Sequence, residues 1–402
     1  MSRPEREGGR PRRILPVIVF SQFAGTSLWF AGNAVLGDLQ ALWDLAPGAR
    51  GHLTTSVQAG FIAGTLVFAY FSIADRYSPR LIFFACSLLG ALANLGVYAF
   101  ADGFHTLLVL RFLTGFFLAG IYPVGMKIAA GWYRHDLGSA LGFLVGALVL
   151  GTSLPYLIRG LGQAFPWDAV LLAVSAVAAL GGVAMLLFVA DGPYSARGAR
   201  FDPRAIAAIF RSPLFRASAS GYFGHMWELY AFWAFVPLVL AAHAARQGGS
   251  LDTELWTFAV IAAGGIGCAA GGVVSLQAGS ARVAFAQLAA SGACCALSPL
   301  VFHAPTPVFL AFLVFWGIVV AGDSPQFSTL NARHAPPERV GSALTIANCI
   351  GFAITIVSIQ VLNGLAGVVD AAWLFVALAP GPLAGLAAMR PLLRGVSSPG
   401  TS

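Results

Sequence analysis

Few ionisable side chains stand inside the long apolar stretches of this sequence. Those that do are the first candidates for chemistry: Arg111, Lys127, His225, Glu228 and Asp323. His225 and Glu228 are three residues apart, so on a helix they share a face. A carboxylate beside an imidazole in a low-dielectric setting can load and release a proton near neutral pH; the alternative is a structural pair bonding across helices. Trp227, Tyr230 and Trp233 flank the pair and suit either ring stacking on a ligand or plain packing. Arg111 carries a fixed charge that can hold an anionic substrate, or can be taken up internally by Glu228 or Asp323. Lys127 is the only lysine beside 22 arginines, and either binds an anion or snorkels to an interface. Gly322-Asp323-Ser324-Pro325-Gln326 interrupts its apolar stretch, which can expose ligand-binding backbone or simply break a helix near its end. Gln22, Trp29 and Asn33 add polar and aromatic groups to the first stretch, and Gln58 and Asn348 are weaker candidates of the same kind.

Other chemistries lack their residues. The five cysteines all fall in apolar runs without metal-ligand spacing, so they read as packing residues and no metal is expected. Gly264-Gly265-Ile266-Gly267 follows no strand and is not a dinucleotide fingerprint. Walker-type loops, zinc motifs, nucleophile elbows and nucleic-acid modules are not found in the sequence. The expectation is a non-enzyme without cofactors.

The apolar stretches themselves decide the class. Of 402 residues, 58% are hydrophobic and 10% charged, with a mean hydropathy of +0.80; a soluble domain carries about 25% charged residues. Lipid is the solvent that suits such a surface. A spanning helix needs roughly 20 apolar residues, and twelve segments qualify: 14–37, 53–74, 81–101, 106–131, 137–158, 169–190, 215–242, 255–277, 283–302, 306–330, 340–362 and 371–389. The first is too long for the core of a signal peptide and is read as a retained span.

Alternating these spans from a cytoplasmic N-terminus puts 18 arginines on the cytoplasmic side and three, Arg50, Arg159 and Arg246, outside, with Arg111 and Lys127 within a span. That bias accounts for the net charge of +7 without nucleic acid. The longest polar segment, 191–214, divides the chain six spans from six. The expected organisation is therefore a tail at 1–13, a six-helix bundle at 14–190, a cytoplasmic linker at 191–214, a second bundle at 215–390 and a tail at 391–402. Gly138-Ser139-Ala140-Leu141 opens the fifth span and Gly341-Ser342-Ala343-Leu344 the eleventh, 203 residues later, the mark of a duplicated half.

An all-α polytopic layout of twelve transmembrane helices in two six-helix bundles resembles the major facilitator superfamily over about residues 14–390. Between the second and third spans the family pattern Gly-x-Leu-Ala-Asp-Arg-x-Gly-Arg-Arg is similar to Phe71-Ser72-Ile73-Ala74-Asp75-Arg76-Tyr77-Ser78-Pro79-Arg80: Ala74, Asp75, Arg76 and Arg80 match, while Phe71 and Ser78 replace the glycines. The resemblance implies a gating loop of Asp75, Arg76 and Arg80 whose charges brace one conformation. The corresponding loop of the second half, Leu276–Arg282, has Ala278 in place of the aspartate. Arg111-Phe112-Leu113-Thr114-Gly115 looks like the family's Arg-x-x-x-Gly pattern, linked in some members to proton handling. The glycines from Gly138 to Gly151 loosely resemble the fifth helix of antiporters. In that family the first, fourth, seventh and tenth spans line a central cavity, and these are the spans that carry the candidates above.

The resemblance implies a secondary transporter that rocks two bundles around a central site. The expected protein is a proton-coupled permease, symporter or antiporter, monomeric and multi-pass in the inner (plasma) membrane. Its partners are a small-molecule substrate, protons and the lipid bilayer. Arg111 with Lys127 tilts the substrate toward an anionic or zwitterionic solute; a proton-driven efflux pump for apolar or cationic compounds is the alternative. A sensor or an intramembrane enzyme is remoter: an enzyme would cluster its ionisable groups at one face, and a sensor would add a soluble domain.

The arginine bias makes the layout testable. Reporter fusions placed after Arg200 and after Arg394 are expected to read cytoplasmic, and a periplasmic reading at either would overturn the alternation of spans.

Overall fold

The computed structural model describes residues 11–133, 137–161, 166–194 and 206–394. Among them, eleven helices are long and apolar enough to cross a bilayer, and the shorter apolar helix Ile14–Thr26 begins the first span. The twelve spans form the expected pair of six-helix bundles. The first runs through Ile14–Thr26, Ala31–Ala34 and Leu36–Trp43; the second is Ala49–Tyr70, the third Pro79–Phe100. The fourth is split into Phe104–Leu118 and Tyr122–Trp132, followed by Leu137–Leu161 and Trp167–Phe188. The second bundle comprises Pro213–Gln247, Thr253–Ala278, Ser280–Phe302, a tenth span split into Thr306–Gly322 and Ser324–His334, then Val340–Leu365. Its twelfth span is a 3-10 stretch, Ala371–Leu378, leading into Pro380–Arg394. Of the expected linker, 195–205 lies outside the described residues, as do 1–10 and 395–402 and the arginines they hold.

Local chemistry sets the helix starts. Ser212 accepts from the Phe215 N–H at 3.3 Å with Pro213 in the first turn, and Asp252 accepts from Leu255 N–H at 2.9 Å. The seventh span then continues for 35 residues, longer than expected, and at about 50 Å exceeds a hydrocarbon core of about 30 Å.

The duplication is carried in the backbone. Both halves of the split fourth span recur 202 residues later in the tenth: Phe104 and Thr306 start the first pieces, Tyr122 and Ser324 the second, and Trp132 and His334 end them. Pro123 and Pro325 follow the two breaks. The packing repeats as well. A Cβ on Gly115 would lie 2.0 Å from the Val57 carbonyl oxygen, and one on Gly317 would lie 1.9 Å from that of Val260. Gly64 meets the Phe116 carbonyl and Gly267 that of Ile318 in the same way, at 2.4 and 1.9 Å. Glycine is required at these crossings because the helices touch backbone to backbone.

A broken helix inside lipid frees carbonyls that need donors. The first span breaks after Thr26, and Arg111 of the fourth span reaches across to it. Its Nη2 donates to the carbonyls of Leu28 and Trp29 at 2.9 and 2.7 Å, and its Nη1 to Asn94 Oδ1 at 2.9 Å. Asn94 in turn donates to Ser175 Oγ at 2.9 Å, tying the third and sixth spans into the same network. The guanidinium is fully buried, and it sits where the helix dipole of Ile14–Thr26 ends in negative partial charge.

Three substitutions test this account by thermal unfolding in detergent micelles. Arg111→Lys keeps the charge but loses the fork, and is expected to cost about 2 kcal/mol. Gly317→Leu, at a position with no room, should cost about 3 kcal/mol, whereas Gly272→Ala, where an added Cβ meets nothing within 4 Å, should be tolerated. An Arg111→Lys protein as stable as the native one would show that the freed carbonyls do not depend on the fork.

Candidate functional site

The two bundles meet along a seam of aromatic rings. From the first bundle come Trp29, Phe30 and Phe61; from the second, Tyr230, Trp233 and Phe352. Trp29 lies 5.4 Å from Tyr230 and 5.6 Å from Phe352, Phe61 lies 4.4 Å from Phe352, and Phe30 lies 6.4 Å from Trp233. Such spacings are those of rings packed face or edge against one another.

Toward the face opposite Ile14 (the far face) polar contacts tie the bundles together. Gly51 N–H donates to Asn363 Oδ1 at 3.2 Å, Gln360 Nε2 to Thr55 Oγ1 at 3.0 Å, and Arg50 Nη1 to the Ala234 carbonyl at 3.5 Å. Toward the face that carries Ile14 (the near face) the seam parts. One cleft of about 470 Å³ lies between the second and eleventh spans, beside Leu66, Tyr70, Ile346 and Cys349. Another of about 520 Å³ lies among the first, fifth and eighth spans, beside Phe20, Gly146 and Gly265. The chain is thus closed on the far side and loosened on the near side.

Between these levels sits a central cavity of about 30 Å³, room for roughly one or two waters. Both bundles line it. Tyr122 and Val149 come from the first; Tyr222, Tyr230, Trp233, Ser324, Ser328, Asn348 and Phe352 come from the second. Tyr222 donates to Asn348 Oδ1 at 3.0 Å. Every polar group in the lining is uncharged.

The ionisable candidates distribute around this cavity rather than into it. Arg111 is consumed by the break in the first span and meets neither Glu228 nor Asp323. Lys127 is absent from the cavity lining: its partly exposed ammonium reaches the loop between the second and third spans, where it pairs with Asp75 and donates to the Ala74 carbonyl at 2.5 Å. The two bases behind the anionic tilt therefore have internal partners. The loop expected to gate, between the second and third spans, is tied to its own bundle through that Asp75–Lys127 pair. Arg76 is exposed, and Arg80 donates to the Leu186 carbonyl at 3.4 Å.

His225 and Glu228 do not form the expected pair. His225 Nδ1 lies 2.8 Å from Asp323 Oδ1, at the break in the tenth span, and its Nε2 lies 2.8 Å from Ser324 Oγ. Glu228 faces the interior of the second bundle instead. Its Oε1 accepts from Ser291 Oγ, from Trp316 Nε1 at 2.8 Å and from Cys295 Sγ at 3.4 Å. All of these side chains except Ser324 are buried.

Of the neutral candidates, Tyr230 and Trp233 line the cavity and Trp29 packs against Tyr230. Asn33 donates to Thr54 Oγ1 at 2.8 Å, a tie within the first bundle. Gln22 packs against Gly125, where a Cβ would come within 2.1 Å of its Oε1. Tyr122, Tyr222 and Ser324 were not among the sequence candidates. Tyr122 and Ser324 had a signal in the paired breaks, Tyr122-Pro123 and Ser324-Pro325 standing at equivalent points of the two halves; Tyr222, within the seventh span, had none.

Comparison with known proteins agrees with this architecture. The structure of the proton:xylose symporter XylE bound to 6-bromo-6-deoxy-D-glucose matches with a TM-score of 0.75 over 94% of this chain and 96% of its own, at 13% sequence identity, a likeness of fold. A protein of Haemophilus influenzae named "Putative metabolite transport protein" is 31% identical over 141 residues, which cover 34% of this chain. The match spans 33% of that relative's length. The model of the Major Facilitator Superfamily matches residues 15–392, from the first span through the twelfth, and the chain belongs to that family of multi-pass membrane transporters.

Proposed function

We propose that this chain is a proton-coupled secondary transporter that moves a small solute of no net charge by alternating access. The observation that carries the reading is the central cavity at the seam, lined by neutral polar and aromatic side chains from both bundles. An anionic solute would need a cation there, and Arg111 and Lys127 are engaged elsewhere. The name of the Haemophilus relative and the sugar-bound symporter structure support a metabolite as cargo. The clefts at the near face and the ties at the far face fit one state of the cycle. The cavity is too small for a solute, so the bundles must separate to load it. The arginine bias puts the near face in the cytoplasm, with both termini there and the plasma (inner) membrane as the setting, and the molecule works as a monomer.

Export of apolar compounds is the second reading. Both near-face clefts are apolar and run along the seams, which is where such a compound would enter from lipid. No carboxylate lines the central cavity to favour a cationic one.

Thermal-shift screening of the purified protein against neutral, anionic and cationic metabolites is expected to give its hits among neutral solutes. Counterflow of a hit in proteoliposomes should then weaken about tenfold in Trp233→Ala, as for the loss of about 1.4 kcal/mol of contact. Hits confined to organic anions would overturn the neutral reading.

A further inference from the structure

Ser324 is where the central cavity touches a buried titratable pair. Its hydroxyl lines the cavity and lies 2.8 Å from His225 Nε2; the other ring nitrogen lies 2.8 Å from Asp323 Oδ1. The three groups stand in sequence, 2.8 Å from one to the next, between the cavity and a carboxylate that is fully buried. Both oxygens of that carboxylate are buried, and neither is met by a well-aligned hydrogen bond among the described residues, although Oδ1 stands 2.8 Å from Nδ1. Glu228, by contrast, is absent from the cavity lining and has three donors on one oxygen.

We propose that Asp323, His225 and Ser324 form the proton-loading relay of this transporter, with Asp323 as the group that stores the proton. The proposal rests on the proton-coupled reading above and assigns its site. In the unloaded state the Ser324 hydroxyl donates to Nε2, and Nδ1–H faces the Asp323 carboxylate. A proton arriving at Ser324 Oγ from the cavity displaces the hydroxyl's own proton to Nε2. Nδ1 passes its proton to Asp323. The outcome is a neutral carboxylic acid, a neutral imidazole with its proton on Nε2, and an intact serine hydroxyl, so one proton has entered and charge balances. Transfer across the 2.8 Å His225–Asp323 gap requires the ring to turn Nδ1–H onto the carboxylate, after which both contacts persist with their polarity reversed.

The position of Asp323 couples this step to motion. It stands between Thr306–Gly322 and Ser324–His334, at the break of the tenth span, and through His225 it binds that break to the seventh span. Loading changes a charged contact between two cavity-lining spans into a neutral one, which biases their relative positions. The titratable groups that face this pair are Tyr222 and Glu228 on the seventh span and Cys268 on the eighth; Cys268 donates to the Ala321 carbonyl just before the break. The ninth span presents Gln287, whose amide meets Gly322, and Cys294 and Cys295 beside Glu228.

The test uses the full chain in phosphatidylethanolamine–phosphatidylglycerol vesicles, with the proton as probe. Infrared spectra are recorded as the bath pH is cycled, and solute uptake is measured in the same vesicles. Acidification is expected to raise a carboxylic-acid carbonyl band that disappears in Asp323→Asn, shifts in frequency in Asp323→Glu, and persists in Glu228→Gln. Ser324→Ala should retain the band but slow its appearance about tenfold. A band that survives Asp323→Asn, or fails to shift in Asp323→Glu, overturns the relay. Should wild type show the Asp323 band but carry no solute, the relay stands and the transport reading falls. Uptake with an unaltered pH profile in Asp323→Asn removes the relay and leaves transport intact.

Discussion

A peptide group that leaves its helix within hydrocarbon must be given another partner there, and this requirement shapes the protein more than any other. The first, fourth and tenth spans are all interrupted within the bundle interior. Each interruption turns a smooth cylinder into a site where backbone and side chains change direction. In the first span the demand is met by Arg111, whose fork fits two carbonyls and an amide oxygen at once. A charge that would be costly alone becomes part of the backbone's own hydrogen bonding. The tenth-span break is met partly by Cys268, which donates to Ala321, and the buried Asp323 and half-buried Ser324 stand at that break. Structural and functional groups thus derive from the same device.

The same requirement explains what was legible in the sequence. Spans are long because lipid demands every residue of them, so apolar runs locate twelve of them to within a few residues of most boundaries. The Gly-Ser-Ala-Leu tetrapeptides fall in the first turns of Leu137–Leu161 and Val340–Leu365, as a duplication implies. Partnership across helices was not legible. His225 and Glu228 share a face in the loose sense, but three residues on a helix leave them about 60° apart around the axis. That rotation suffices to send one to the tenth-span break and the other to Ser291 and Trp316. Lys127 gave no hint of Asp75 because the two are 52 residues apart and stand on different elements.

The near and far faces differ in the kind of contact that would have to change in a cycle. Opening the far side means parting Gly51 from Asn363, Gln360 from Thr55, and Trp29 from Tyr230 and Phe352. These are single hydrogen bonds and ring contacts, each worth only about 0.5–1.5 kcal/mol. Closing the near side means bringing the second and eleventh spans together across an apolar cleft, so that water or lipid is expelled rather than a strong bond formed. Neither change is dominated by one large term.

Polar atoms within the seam push in the same direction. The indole nitrogens of Trp29 and Trp233 and the amide of Gln58 are buried and have no hydrogen-bond partner among the described residues. A buried donor left unpaired costs about 1–3 kcal/mol. Where no water reaches it, each raises the energy of the closed seam and would recover that energy if separation of the bundles admitted a partner. Tryptophan at these positions couples an apolar ring that seals the seam with an N–H that resists the sealing. Phenylalanine in place of either would fill much of the same space without the donor, and would hold the far side shut more firmly. The aromatic packing of the seam is thus offset by its own polar edges.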